Sequence, residues 1–170
     1  PEPGNVDGKS GPNITGPGDQ SFQYSPTDPF QDSYEDTLAD IAMQFWYQDL
    51  QPDIVNRVPD SDRNPAFWQH MVTYGVGLGV QGTIDPDQAI AAMLNGNDIS
   101  WPNPFTNNNH KLDDLLHASV NSRGGFFSAT DPQKFATELS GVLGDIAEAT
   151  GSSTGVTFDT ATLEEDSLIF

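Results

Sequence analysis

The sequence predicts an α/β domain, a parallel sheet with helices packed on it, and three observations carry that reading. The first is the apolar run Trp68-Gln69-His70-Met71-Val72-Thr73-Tyr74-Gly75-Val76-Gly77-Leu78-Gly79-Val80, bounded by Asn64-Pro65 and Gly82. A stretch rich in small and β-branched residues is how a strand reads when helices cover both faces of its sheet. The second is a shorter strand-like stretch, Phe126-Phe127-Ser128-Ala129. The third is the helical spacing of apolar residues before, between and after these two stretches, which calls for parallel strands joined by right-handed crossovers.

The elements follow in order. Residues 1–35 are dense in Gly, Pro, Asn, Asp and Ser and read as an extended loop. Its aromatics, Phe22, Tyr24, Phe30 and Tyr34, are spaced so as to pin it onto a surface. A first helix follows, capped by Ser33 or Asp36, with Leu38, Ile41, Ala42, Phe45 and Trp46 as one apolar stripe docked on the sheet and Pro52 ending it. Pro59 to Pro65 is a polar connector into the glycine-punctuated strand. Glycines at positions 75, 77 and 79 weaken a strand, and are kept where another group comes close or the strand opens into a loop.

Asp85-Pro86-Asp87 places a cap and then Pro at the first helical position, so a short helix runs to about Leu94 and stops at Gly96. The prolines in Asn95 to Asn109 exclude regular structure there, and Trp101 and Phe105 read as loop anchors or as an exposed binding patch. Leu112, Leu115, Leu116 and Val120 mark a helix over Lys111 to Ser122, terminated by Gly124-Gly125. After the short strand, Thr130-Asp131-Pro132 caps a last helix whose buried stripe is Phe135, Leu139, Val142, Leu143 and Ile146. The tail from Thr154 to Phe170 changes to period two, a β segment leading into a further domain. Two parallel strands bury too little alone. The expectation is therefore that residues 36–150 are one half of a domain, with Val72 and Val76 buried and the missing strands supplied from outside, and that residues 151–170 link it onward. The opening at Pro1 and the close at Phe170 both look like cuts in a longer chain.

With 25 acidic against 6 basic side chains in 170 residues, the formal charge is −19. That balance excludes nucleic acid, whose binding needs Lys and Arg on phosphates, and disfavours anionic membranes. Calcium, cationic surfaces or a salty medium are compatible with it, as is solubility alone. There is no cysteine, hence no disulfide or thiolate metal site, and no apolar run long enough to span a bilayer.

The search for chemistry yields little. His110 and His117 lie seven apart with Asp113 and Asp114 between them, a spacing that a metal site can use, but a capping His110 and a His117 packed near Trp or Phe account for it without one. A hydrolase using His117 with Asp113 or Asp114 is the weaker form of the same idea. His70 reads as a hydrogen-bonded structural residue. Asn5-Val6-Asp7-Gly8 and Gly16-Pro17-Gly18-Asp19 offer oxygens to calcium without an EF-hand spacing, so ordinary turns account for them. Asn13-Ile14-Thr15 matches a glycosylation acceptor, and Glu164-Glu165-Asp166 is a solvated acidic turn. The glycines of the long strand do not open a helix as a dinucleotide fingerprint requires. No catalytic, cofactor-binding or metal residue is assigned, and no enzyme is expected.

Several blocks resemble the PilY/PilC family of type IV pilus tip adhesins. They are Thr37-Leu38-Ala39-Asp40-Ile41-Ala42-Met43-Gln44-Phe45-Trp46, Asp49-Leu50, Asn56-Arg57-Val58-Pro59, the run from Phe67 to Val80, Asp113-Asp114-Leu115-Leu116-His117-Ala118, and Ser122 to Ala129 with the helix after Asp131-Pro132. The likeness spans Asp36 to Ala149. It implies the C-terminal half of a von Willebrand factor A-type domain, with Met71 to Gly77 as the penultimate strand, Phe126 to Ser128 the last, and a β-propeller beyond Gly151. It also implies a non-enzymatic adhesion and pilus-assembly role at the bacterial surface or pilus tip, by way of the periplasm. The implied partners are the remainder of the same adhesin, minor pilins and a surface or host ligand. Calcium or magnesium in the parent domain would be held mostly outside this chain, since the D-x-S-x-S loop of such sites is absent here. The alternative from the residues alone is a calcium-stabilised structural module of an extracellular filament.

Overall fold

The computed structural model describes residues 2–129 together with 136–137, 139–141 and 143–144. They form a mixed α/β arrangement with one small antiparallel sheet, one small parallel sheet and several helices. The opening segment is more structured than a loop. β1 (Asn13–Thr15) and β2 (Ser21–Gln23) pair antiparallel with Ile14 opposite Phe22, joined by a tight turn over Pro17–Asp19 in which Gly18 takes φ 68°. Ile14 is buried between exposed neighbours, as period-two alternation requires on a half-covered strand.

The hairpin closes over a cluster of Val6, Ile14, Tyr24, Met43, Trp46, Ala66, Phe67 and Trp68, with Phe22, Phe30 and Tyr47 against its edge. Phe22 stacks on Trp68 at 5.0 Å between ring centres, and Trp46 meets Trp68 edge-on at 5.4 Å. Phe22, Tyr24 and Phe30 thus pin the segment as their spacing suggested. The indole N–H of Trp68 donates to Trp46 O at 2.8 Å, and that of Trp46 to Asn64 Oδ1 at 3.0 Å, so neither ring buries an unmet donor.

α1 (Leu38–Trp46) is capped by Thr37, whose hydroxyl accepts from Asp40 N while the Asp40 carboxylate accepts from Thr37 N, a reciprocal capping box. Neither Ser33 nor Asp36 is the cap, and the helix ends at Trp46, well before Pro52. Its buried face is Ala39, Asp40, Ala42, Met43 and Trp46, and it packs on α3 (Asn108–Asn121) rather than on a sheet. Leu38, Ile41 and Phe45, expected in the stripe, stand 38–41% exposed. The helix is apolar nearly all round, and the face bearing the Trp ring and the small alanines is the one α3 can approach closely.

The long strand is short in the structure. β3 covers Gly75–Leu78 only, because Trp68 and His70 upstream are drawn into side-chain contacts of the aromatic cluster. β4 (Phe126–Ala129) pairs parallel with it, Gly75 opposite Phe126 and Leu78 opposite Ala129. The glycine at position 75 answers a close approach, since a Cβ there would sit 2.6 Å from the Phe126 ring and 2.9 Å from Ser119 Oγ. At Gly79, φ +67° marks where the strand turns out into its loop. Val72 is half-buried, but Val76 is 40% exposed and Leu78 65%. The expected burial of Val76 is not met, because the face of the sheet that carries Val76 and Leu78 is open to solvent.

α2 (Pro86–Asn95) begins and ends as its residues dictate, with Asp85 accepting from Gln88 N and Gly96 in the left-handed region at φ 67°. α3 starts three residues before Lys111, because Asn107 caps it by accepting from His110 N. Trp101 anchors the irregular stretch between these helices at 6% exposure, whereas Phe105 is 65% exposed. Together with Ala89, Leu116 and Val120, Trp101 makes a second cluster, and Phe30 touches both clusters. Residues 136–137, 139–141 and 143–144 are helical. Leu139 and Leu143 of the expected stripe are 38% and 58% exposed, again for want of an opposing layer among the described residues. Phe135, Val142, Ile146 and the Thr130-Asp131-Pro132 cap lie outside the described residues, as does the whole tail from Thr154 to Phe170.

The Asp40 carboxylate is fully buried and accepts from Val6 N (2.6 Å), Asp7 N (3.4 Å), Thr37 N (3.0 Å) and Thr37 Oγ1 (2.8 Å). Asp40→Ala leaves these donors unmet in the interior, at about 1–3 kcal/mol each before relaxation. A loss of about 3 kcal/mol or more in urea denaturation is expected. Asp114→Ala, which removes a carboxylate from the half-exposed start of α1, should cost about 1 kcal/mol.

Candidate functional site

Among the described residues, Asp7, Asp32 and His117 are the one group of metal-capable side chains that converge, each offering an atom within 4.8 Å of the others. The chain brings them from three places. Asp7 sits in a turn closed by Gly8 N donating to Asn5 Oδ1 (2.6 Å) and by Tyr24 Oη donating to Asp7 O (2.7 Å). Asp32 follows Phe30, its backbone N–H donating to Asp7 Oδ1 at 3.1 Å and its own Oδ1 accepting from Tyr34 N at 2.8 Å. His117 lies midway along α3, 1% exposed, its ring stacked on Trp101 at 4.0 Å and 12°. The Trp101 indole in turn donates to Pro29 O at 2.7 Å, fixing the ring that fixes the imidazole.

The two ring nitrogens face different carboxylates. Nε2 is 2.9 Å from Phe30 O and 3.7 Å from Asp7 Oδ2, while Nδ1 is 3.5 Å from Asp32 Oδ2. A carbonyl oxygen only accepts, so Nε2 carries the hydrogen. Nδ1 then faces the Asp32 carboxylate. A cation would need one nitrogen lone pair with both carboxylates on its side; here Nε2 is engaged by Phe30 O. Asn121, wholly buried, closes the group by donating from Nδ2 to Asp7 Oδ2 at 2.8 Å and to Ala39 O at 3.3 Å, and its Oδ1 is buried with no partner.

The residues singled out from spacing go elsewhere. Asp113 accepts from Thr83 N (2.7 Å), Thr83 Oγ1 (2.7 Å) and Ile84 N (2.9 Å), fastening the loop before α2. Asp114 accepts from Leu38 N and Ala39 N, both at 3.0 Å, at the positive end of α1. Its carboxyl is raised by burial, against those two N–H groups. His110 closes a turn, Nδ1 lying 3.0 Å from Asn103 O and 2.7 Å from Thr106 Oγ1. His110, Asp113, Asp114 and His117 therefore form no common face. His70 is held by Trp68 O at 2.6 Å and Asn64 Nδ2 at 2.8 Å, with burial lowering its pKa. Asp32 carried no signal in the sequence, and Asp7 was visible as a turn residue that could lend oxygens to calcium, with no link to His117. An open cleft of about 670 Å³ beside the hairpin, lined by Pro12, Ile14, Asp49, Ile54 and Asn56 among others, lies apart from this group.

Burial is the main force on Asp7, opposed by His117 and reinforced by Asp32, and it lifts the carboxyl from 3.8 to about 6. The folded state thus holds this proton more tightly than the unfolded chain, so the contribution is full below about 3.8 and is lost as pH rises through about 6. Its size is on the order of 1–3 kcal/mol. The expected outcome is that melting temperature falls by several degrees from pH 4 to pH 7 in the native chain and by distinctly less in Asp7→Asn. The variant keeps Oδ1 for Asp32 N, and Asn121 can turn its idle Oδ1 toward the new amide. Parallel pH profiles for the two proteins would contradict this account.

Comparison with known proteins gives one consistent result. The type IV pilus biogenesis factor PilY1 of Pseudomonas aeruginosa strains PAO1 and PAK is 37% identical over 147 residues, 73% of this chain and 13% of that protein. PilY1 of P. aeruginosa strain UCBPP-PA14 is 33% identical over 191 aligned positions, covering 96% of this chain and 16% of the relative. The chain spans about a seventh of the length of the curated relatives it matches. No family model matches it, and no solved structure does.

Proposed function

Because this chain belongs to the PilY family, we propose that it is a non-enzymatic part of a type IV pilus biogenesis factor, acting in pilus assembly and in adhesion at the cell surface or pilus tip. The observation that carries the reading is the extent of the match, up to 96% of the chain at 33% identity, and not a local motif. The arrangement of residues 36–129 supports it in a second way. A parallel β3–β4 pair with helices in its crossover, and with Val76 and Leu78 40% and 65% exposed, is the edge of a larger sheet that further strands would complete. We take that sheet to be von Willebrand factor A-like, residues 1–35 to be its packed forward segment, and residues 151–170 to lead toward a further β domain. The partners are then the rest of the same polypeptide, minor pilins and a surface ligand. No helix among the described residues is long and apolar enough to cross a membrane.

Asp7, Asp32 and His117 favour a second reading, a cation-stabilised structural module, since they are the only such group among the described residues. Calcium or zinc raising the melting temperature by more than about 5 °C, and not doing so in His117→Gln, would select it.

The primary test is an in-frame deletion of residues 36–150 from the complete gene product in its own bacterium, with surface pili counted by electron microscopy. At least a tenfold loss of pili is expected. Wild-type numbers of pili, together with wild-type attachment to surfaces, would sink the proposal. Normal piliation with lost attachment would retain adhesion and remove the assembly role.

A further inference from the structure

α1 is a helix with no charged outer face. Its one ionisable residue, Asp40, points inward and is 0% exposed. The positions that face outward are Leu38 at 41%, Ile41 at 39% and Phe45 at 38%, spaced three and four residues apart on one stripe, with Gln44 half-buried beside them. Met71, whose N–H donates to Phe45 O at 3.0 Å, is 47% exposed at the end of the same stripe. A surface helix carries charged and polar residues on its solvent side, and one that is apolar all round belongs inside a larger body. The contrast is sharp in a chain with 25 acidic and 6 basic residues, where charge is available for every surface that needs it.

We infer that the outward stripe Leu38–Ile41–Phe45, continued by Met71, is an internal interface that an apolar surface of the same, longer polypeptide covers in cis. Three considerations choose this occupant. A second copy would bring another formal charge of −19 against the first, and like-charged bodies repel. Four side chains fall far short of the roughly 800 Å² per partner that a stable association of free proteins requires. A tethered segment avoids most of the entropic cost of association, so a patch this small suffices within one chain. The relatives supply the length, since this chain accounts for only 13–16% of them. The inference rests on the PilY family reading for that length, and not on the proposed role in pili.

The chain has no cysteine, which makes the test direct. Ile41→Cys and Phe45→Cys are made in the 170-residue chain and in the complete gene product, and maleimide labelling of each peptide is followed by mass spectrometry. Leu94→Cys, at a position 65% exposed on α2, serves as the open control, and Ala42→Cys, at a position 4% exposed, as the closed one. The expected result is that positions 41 and 45 label as fast as position 94 in the short chain and at least tenfold slower in the complete product. If Ala42→Cys labels freely in the short chain, that chain is unfolded, and protection of 41 and 45 relative to 94 in the complete product decides alone. Equal labelling of 41, 45 and 94 in the complete product overturns the inference. So does protection already present in the short chain, whether independent of concentration, which assigns the cover to its own residues, or rising with concentration, which assigns it to a second copy. Because labelling is read without reference to piliation, a null deletion phenotype leaves this result standing.

Discussion

Buried carboxylates held by backbone N–H groups organise this molecule. With so few Lys and Arg, none pairs with the interior acids among the described residues. Asp40 takes three backbone donors from residues 6, 7 and 37, Asp113 takes two from 83 and 84, Asp114 takes two from 38 and 39, and Asp7 takes that of Asp32. Each such bond is charge-assisted and directional, so it fixes where a loop lies as well as how firmly it is held. Three of these acceptors, Asp7, Asp113 and Asp114, sit on or against α3, which also carries His117 donating to Phe30 O; α3 is thus the peg on which the opening segment, α1 and the loop before α2 are hung.

The interior cation is handled differently. Arg123 ends α3 with φ 62° and is 6% exposed, its guanidinium lying 3.6 Å from the centroids of both Phe30 and Trp46. It donates to Asn121 O at 2.5 Å, and burial lowers its pKa to about 9. Two ring faces offer a planar cation the negative end of their quadrupoles where no carboxylate stands against it. The sandwich also ties the two apolar clusters together, since Phe30 belongs to the edge of each. Lysine would not substitute, because a compact ammonium cannot stack on both rings.

Much of the fold was legible in the residues. Asp85-Pro86 and Gly96 bracket α2 because cap chemistry is local, and Phe126–Ala129 pairs parallel with the glycine-rich strand because only crossover helices separate them. The direction α1 faces was not legible. LADIAMQFW is apolar on two sides, so periodicity could name a stripe but not which one α3 would cover. The strand was overextended for a related reason, since Trp68 reads as β-prone while its ring is captured by Trp46 and Phe22. The polar site was least legible. Asp7 and Asp32 meet His117 across separations no short-range pattern encodes, and the histidine–aspartate spacing on α3 pointed instead to two carboxylates that serve backbone donors.

The same physics that holds the interior explains the surface left open. A carboxylate that accepts backbone N–H groups is an inward device and adds nothing to the solubility of the face behind it. In α1 the single acid is used in this way, so the opposite side of that helix is left to Leu38, Ile41 and Phe45. β3 has the same character, with Val76 and Leu78 standing on the side away from α3. Charge is plentiful in this chain, with 25 acidic residues, yet none of it stands on these two faces, because the acid of α1 is committed to backbone donors inside.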